Sequence, residues 1–100
     1  MIPFTYIQVE DTHDALQRAR DHNAVFIAGG TTLIDLMKLQ VMTPASLVDI
    51  NHLPLDSSEH LPDGGVRIGA MVRNSDLAHD PTVMTRFPVL SQALLSGASP

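Results

Sequence analysis

The residues best suited to chemistry lie in one stretch, Phe26-Ile27-Ala28-Gly29-Gly30-Thr31-Thr32-Leu33-Ile34-Asp35. An apolar run stops at two adjacent glycines, and two threonines open the next apolar segment. Glycine permits positive φ and lets a ligand approach the main chain closely. If a helix begins directly after the turn, its first N–H groups lack intrahelical acceptors and the positive end of its dipole faces the same gap. The threonine hydroxyls add donors. A diphosphate would be satisfied there without a basic side chain. The same residues also suit a plain strand-to-helix turn, with Gly reversing the chain and Thr capping the helix. Local physics does not separate the two. The stretch is not a dinucleotide-binding G-x-G-x-x-G, because only two adjacent glycines are present, and no Gly-Lys-Ser/Thr follows to make a Walker A loop.

The remaining polar side chains have bland explanations. His13, His22, His52, His60 and His79 include no pair with metal-site spacing beside a carboxylate. Ser91, Ser96 and Ser99 lack a nucleophile-elbow pattern. Asp11, Asp14 and Asp21 read as a solvated face, and Asp35 as a first-turn helix carboxylate. Met37, Met42, Met71 and Met84 suit core filling. The chain has no cysteine, which excludes disulfides, thiolate catalysis and iron–sulfur ligation within it.

The elements that would position the loop follow from periodicity. Phe4, Tyr6, Ile7 and Val9 suggest an opening strand. Asp11 or Thr12 then caps a helix with Asp14 early, Arg18 and Arg20 late, and Ala15, Leu16 and Ala19 on one face. Residues 24–28, Ala-Val-Phe-Ile-Ala, form a continuous apolar run that fits a strand buried on both faces. Thr31 or Thr32 caps a second helix through about Gln40, with Leu33, Leu36 and Met37 on one side, and Pro44 limits its extension. Residues 46–50, Ser-Leu-Val-Asp-Ile, read as another strand. The roughly 18 residues between the two strand ends exceed the ~10–12 needed for a parallel crossover, which should wind right-handed. Asp63-Gly64-Gly65 is a turn signal, so residues 55–61 and 66–70 suggest a hairpin. Ser75 caps a short helix through His79, Pro81 opens another, and residues 89–95 form a third with Leu90, Ala93 and Leu94 inward. The expected fold is α/β (α+β): a small parallel βαβ core with an appended β-hairpin and C-terminal helices. No repeat and no internal domain boundary is evident.

The 100 residues, 44% hydrophobic and 17% charged, are those of an ordinary globular protein with room for one core. A net charge of −5 argues against nonspecific binding to nucleic acid or anionic membranes. The N-terminus has no basic region followed by a long apolar one, so it does not read as a secretory signal. No apolar run approaches the ~18 residues of a membrane span.

Residues 28–38, Ala-Gly-Gly-Thr-Thr-Leu-Ile-Asp-Leu-Met-Lys, resemble the first flavin loop of the FAD-binding subunits of molybdenum hydroxylases, the xanthine dehydrogenase, aldehyde oxidoreductase and CO dehydrogenase family. That loop typically reads Ala-Gly-Gly-Thr/His-Asn/Ser-Leu and is followed by an apolar helix ending in Met-Lys. Phe4-Thr5-Tyr6, Leu47-Val48-Asp49-Ile50-Asn51, Arg67-Ile68-Gly69-Ala70 with Asp76-Leu77-Ala78, and the stretch from Leu90 to Ser99 are similar to other parts of the family. The resemblance implies a PCMH-type FAD-binding domain, of which residues 1–100 would be the N-terminal lobe, truncated before the second Gly-Gly-Asn loop. It implies that Ala28, Gly29, Gly30, Thr31 and Thr32 donate to the FAD pyrophosphate. Ile27, Leu33 and Ile34 would line the loop, and Gly97 and Ala98 would approach the flavin from the second side. It implies partners, a molybdopterin-binding large subunit and a 2Fe-2S small subunit, with the FAD relaying electrons from iron–sulfur clusters to an external acceptor. The setting would be cytoplasmic, or periplasmic by co-export with a partner. The residues themselves leave two other roles open: a module for a different phosphate ligand, and an assembly lobe that binds no cofactor alone.

Overall fold

The computed structural model describes residues 1–97. They divide into two compact units, Met1–Pro54 and a second that begins at Leu55, where the sequence shows no evident boundary. The boundary falls where the alternation of strand and helix gives way to the proline-flanked hairpin region.

In the first unit three strands, β1 (Thr5–Gln8), β2 (Ala24–Ile27) and β3 (Ser46–Asp49), pair in parallel in the order β1-β3-β2. The register sets Tyr6 and Val25 beside Leu47, and Gln8 and Ile27 beside Asp49. The last strand in sequence therefore inserts between the first two. This order corrects one expectation. The strand covered on both faces is β3, where Leu47 and Val48 point to opposite sides and are 3% and 1% exposed. β2 lies at the edge of this sheet, and its Phe26 is 42% exposed. A continuous apolar run signals a strand but not its place in the sheet, because order is set by crossovers rather than by local sequence.

The first helix, α1 (Thr12–Arg18), starts where the Asp11 carboxylate accepts from the Asp14 N–H at 2.7 Å, so Asp11 is the cap. Only Ala15 of its expected inward face is buried; Leu16 is 58% exposed and Ala19 is exposed. The second helix, α2 (Leu33–Lys38), buries Met37 and leaves Leu33 and Leu36 half-buried. It ends before Gln40. Gln40 turns left-handed at φ 57, and the N–H groups of Val41 and Gln40 donate to the Leu36 and Met37 carbonyls. That is a Schellman closure with glutamine where glycine is usual.

In the second unit β4 (Ser58–His60) and β5 (Val66–Ile68) pair antiparallel, as the Asp63-Gly64-Gly65 turn suggested. Three helices follow: α3 (Asn74–Ala78), α4 (Pro81–Arg86) and α5 (Pro88–Gly97). Ser75 lies inside α3 rather than capping it, and Arg73 holds the cap position without a side-chain bond. α4 has the expected Pro81 at its start, capped by the Asp80 carboxylate, which accepts from the N–H of Thr82 and Val83. On α5, Leu90 and Leu94 are half-buried but Ala93 is exposed. The buried residue is Ser91, whose hydroxyl donates to the Ala78 carbonyl at 2.6 Å and so satisfies its burial beside α3.

Candidate functional site

The Gly29-Gly30 loop sits at the C-terminal ends of β2 and β3, where open parallel sheets present ligand sites. Two strands hold its base. The Ile50 N–H donates to the Ile27 carbonyl at 3.1 Å, the last rung of the backbone ladder. One residue further, the Asn51 side-chain amide donates to the Ala28 carbonyl at 2.8 Å. On the other side, the Gly30 carbonyl accepts from the Ile34 N–H at 2.9 Å, and the Thr32 carbonyl from Leu36 at 3.1 Å. The helical bonding of α2 therefore begins at Gly30.

Among the described residues, no protein acceptor takes the N–H groups of Gly29, Gly30, Thr31, Thr32 or Leu33. Thr32 occupies the cap position of α2 with φ −91 and ψ −45, and its side chain makes no capping bond. The capping role expected of Thr31 or Thr32 is thus unused, and both residues are exposed. With six residues, α2 is short. The open amides are the stronger feature of the site, and the dipole of so brief a helix adds little to them.

The two glycines differ in what holds them. Gly30 has φ 79, a left-handed conformation. A Cβ there would lie 3.1 Å from Ile34 Cδ1 and 3.3 Å from Ile27 Cδ1. Ile27 and Ile34 thus form an apolar wall against the loop. Gly29 is exposed, and a Cβ on it would meet nothing within 4 Å. The first glycine is open to whatever approaches the loop, and the second is required by the backbone.

A polar cluster stands behind the loop. Asp49, at the end of β3, is 7% exposed. Its carboxylate accepts from the Tyr6 hydroxyl, from the Asn51 N–H at 2.9 Å and from the Asn51 side-chain amide at 2.8 Å. Burial pushes its pKa upward, but the bonds from Tyr6 and Asn51, with His52 nearby, outweigh burial and hold it below the ordinary carboxylate value. The same bond raises the Tyr6 pKa, because losing the hydroxyl proton would set two anions side by side. The Gln8 side-chain amide and His52 Nδ1 lie 2.7 Å apart on the same strand ends. In the sequence, Tyr6 and Asp49 are strand residues, and Tyr6, Asp49 and Asn51 all lie in family-like stretches, with no role in a site implied for them. Nothing in their spacing shows that they meet, since the contact spans more than forty residues of chain.

Of the sequence-selected residues, 27 to 34 form one continuous loop and wall. Gly97 is the exposed last residue of α5, and Ala98 lies outside the described residues. Among the described residues no cluster of three or more His, Cys, Asp or Glu could hold a metal ion, and no helix is long and apolar enough to cross a membrane.

A parallel sheet ending in a glycine pair with unpaired amides is an α/β arrangement with backbone donors suited to an anionic group. Comparison with known proteins gives the family. Residues 2–100 match the family described as the FAD binding domain in molybdopterin dehydrogenase, and the chain belongs to that family. It is 52% identical over 100 residues to the FAD-binding subunit of an aldehyde oxidoreductase from Escherichia coli (strain K12), covering 99% of this chain and 31% of that protein. It is 37% identical over 78 residues to the carbon monoxide dehydrogenase medium chain of Hydrogenophaga pseudoflava, covering 78% of this chain and 27% of that protein. Its fold superposes on quinoline 2-oxidoreductase from Pseudomonas putida 86 with a TM-score of 0.91 at 30% identity, covering all of this chain and 36% of that one. The chain thus spans about a third of the length of the curated relatives it matches.

Proposed function

We propose that this chain holds the adenosine-diphosphate half of FAD, with the backbone amides of Ala28, Gly29, Gly30, Thr31 and Thr32 turned to the pyrophosphate. The observation that carries this reading is the row of loop amides with no protein acceptor, beside a Gly29 that leaves its approach open. A diphosphate supplies the acceptors such a row needs. Ile27, Leu33 and Ile34 line the loop, and the two threonine hydroxyls offer further donors.

The FAD would take up electrons from iron–sulfur clusters and pass them to an external acceptor; that redox chemistry belongs to the cofactor, and the protein supplies position and electrostatics. The partners are a molybdopterin-binding large subunit and a 2Fe-2S small subunit. This is supported by relatives named as the FAD-binding subunit of an aldehyde oxidoreductase and as medium chains of dehydrogenases. The setting is cytoplasmic, or periplasmic by co-export with a partner.

Gly30→Val in the full-length protein tests the loop. A β-branched residue at φ 79 is strongly disfavoured, and its Cβ would press on Ile27 and Ile34. Flavin absorbance retained through gel filtration should fall to background in the variant. Flavin content equal to that of the parent would refute the assignment.

A further inference from the structure

We propose that Asn51 is a positioning residue for the flavin loop: its side-chain amide extends the β3–β2 ladder by one residue and sets the carbonyl from which Gly29 and Gly30 depart. The inference rests on the FAD reading of that loop.

The backbone ladder ends where Ile50 donates to the Ile27 carbonyl. The next carbonyl on the β2 side, that of Ala28, receives Asn51 Nδ2 at 2.8 Å instead. The other hydrogen of that amide goes to Asp49 Oδ1 at 2.8 Å. Both contacts are acceptors, so chemistry alone fixes the orientation of the amide, with Nδ2 towards them. The Asn51 backbone N–H also donates to Asp49 Oδ1, at 2.9 Å. One buried carboxylate thus grips both the main chain and the side chain of Asn51, and the Tyr6 hydroxyl grips that carboxylate from β1. All three strands of the sheet converge through Tyr6, Asp49 and Asn51 on the peptide before Gly29. The amides that follow are aimed by that peptide plane, since the Gly29 N–H belongs to the same unit as the Ala28 carbonyl.

Asn23 supplies the comparison. Its side-chain amide also donates to a backbone carbonyl, that of Thr43 at 2.8 Å, but at the opposite ends of the same strands. Loss of either side chain removes one amide-to-carbonyl bond of the same length, and loss of Asn51 also removes its bond to Asp49. Only Asn51 is beside the loop.

The test uses the full-length protein, stripped of flavin and reconstituted. FAD affinity and the urea midpoint are measured for the parent, Asn51→Ala, Asn51→Ser and Asn23→Ala. Both replacements at 51 are too short to reach the Ala28 carbonyl, so either one that folds bears on the proposal. Removing one such bond should weaken FAD binding about tenfold at position 51. Asn23→Ala should lower the urea midpoint, the more so because Asn23 has φ 58, yet leave FAD affinity within about twofold of the parent. FAD affinity unchanged in the Asn51 variants would overturn the proposal, as would an equal loss in Asn23→Ala. If Gly30→Val binds FAD like the parent, the loop assignment itself fails, and that result is distinct from a parent-like Asn51→Ala beside a flavin-free Gly30→Val.

Discussion

The chain contains two Gly-Gly pairs that read alike and are held differently. In the hairpin turn, the N–H groups of both Gly64 and Gly65 are used locally. The Gly64 N–H donates to the Leu61 carbonyl at 3.0 Å, and the Gly65 N–H to the Asp63 carboxylate at 2.9 Å. The Leu61 N–H returns to the Gly65 carbonyl at 2.8 Å. In the Gly29-Gly30 loop the carbonyls are engaged, at Ala28 and Gly30, while the amides from Gly29 to Leu33 are not. The first arrangement closes on itself. The second leaves donors for something that is not protein. A glycine pair is therefore informative through the fate of its neighbouring N–H groups, not through its presence.

Substitutions at glycine sharpen that contrast. The largest effect is expected outside both pairs, at Gly69. A Cβ there would lie 2.1 Å from the Leu55 carbonyl oxygen and 2.7 Å from that of Ser57, both backbone atoms. Gly69→Ala should cost at least about 3 kcal/mol of stability, read from urea unfolding, because main chain must move to admit the methyl group. A parent-like midpoint would show that the hairpin region adapts freely.

Next come the pairs themselves. Gly64→Ala should lower stability by about 1–2 kcal/mol through its φ of 92, while the Arg86 side chain swings aside and FAD affinity stays the same. Gly29→Ala should do the reverse. Its methyl group meets no protein atom, so stability should stay within about 0.5 kcal/mol. FAD affinity should fall, because the methyl group fills the approach to the amides. Titration of FAD against both variants checks the pair. Equal affinities would erase the distinction between the closed turn and the open loop.

The smallest effect concerns the polar cluster behind the loop. Asp49 has a lowered pKa in the folded state, so its contribution to stability is present above the ordinary carboxylate range and lost as pH falls through the lowered value. Tyr6 has a raised pKa, so its contribution is present below about pH 10 and lost as pH climbs through the raised value. Tyr6→Phe should therefore flatten the acid limb of a stability–pH curve and remove the alkaline loss that Tyr6 contributes. Curves that superpose for parent and variant would show that the Tyr6–Asp49 bond contributes nothing in solution.

The particular elements show how far the sequence carries. The apolar runs at residues 24–28 and 46–50, with Pro44 and the glycines as punctuation, located two parallel strands and the loop between them. Asp80-Pro81 located α4 to the residue, because a carboxylate cap and a proline at the first helical position are both local devices. Ser75 misled, since a second polar residue nearby, Asn74, begins the helix earlier. Ala93 misled because a face of α5 is defined by what packs on it, and there Ser91 takes the buried position.

By itself, then, the sequence determined the local vocabulary: which segments are strands, where the turns fall, and the resemblance of Ala28-Gly29-Gly30-Thr31-Thr32 to a flavin loop. These depend on residues within one turn or one strand of each other. Tertiary structure alone decided that β3 lies between β1 and β2, that Ile27 and Ile34 close on Gly30, and that Tyr6, Asp49 and Asn51 converge on the Ala28 carbonyl. The strand order and the contacts of Tyr6 with Asp49 and of Asn51 with Ala28 join residues far apart in the chain, whereas the closure on Gly30 is local in sequence but needs the loop's backbone path. The long-range contacts follow from the crossover order of the sheet, which side-chain periodicity does not encode.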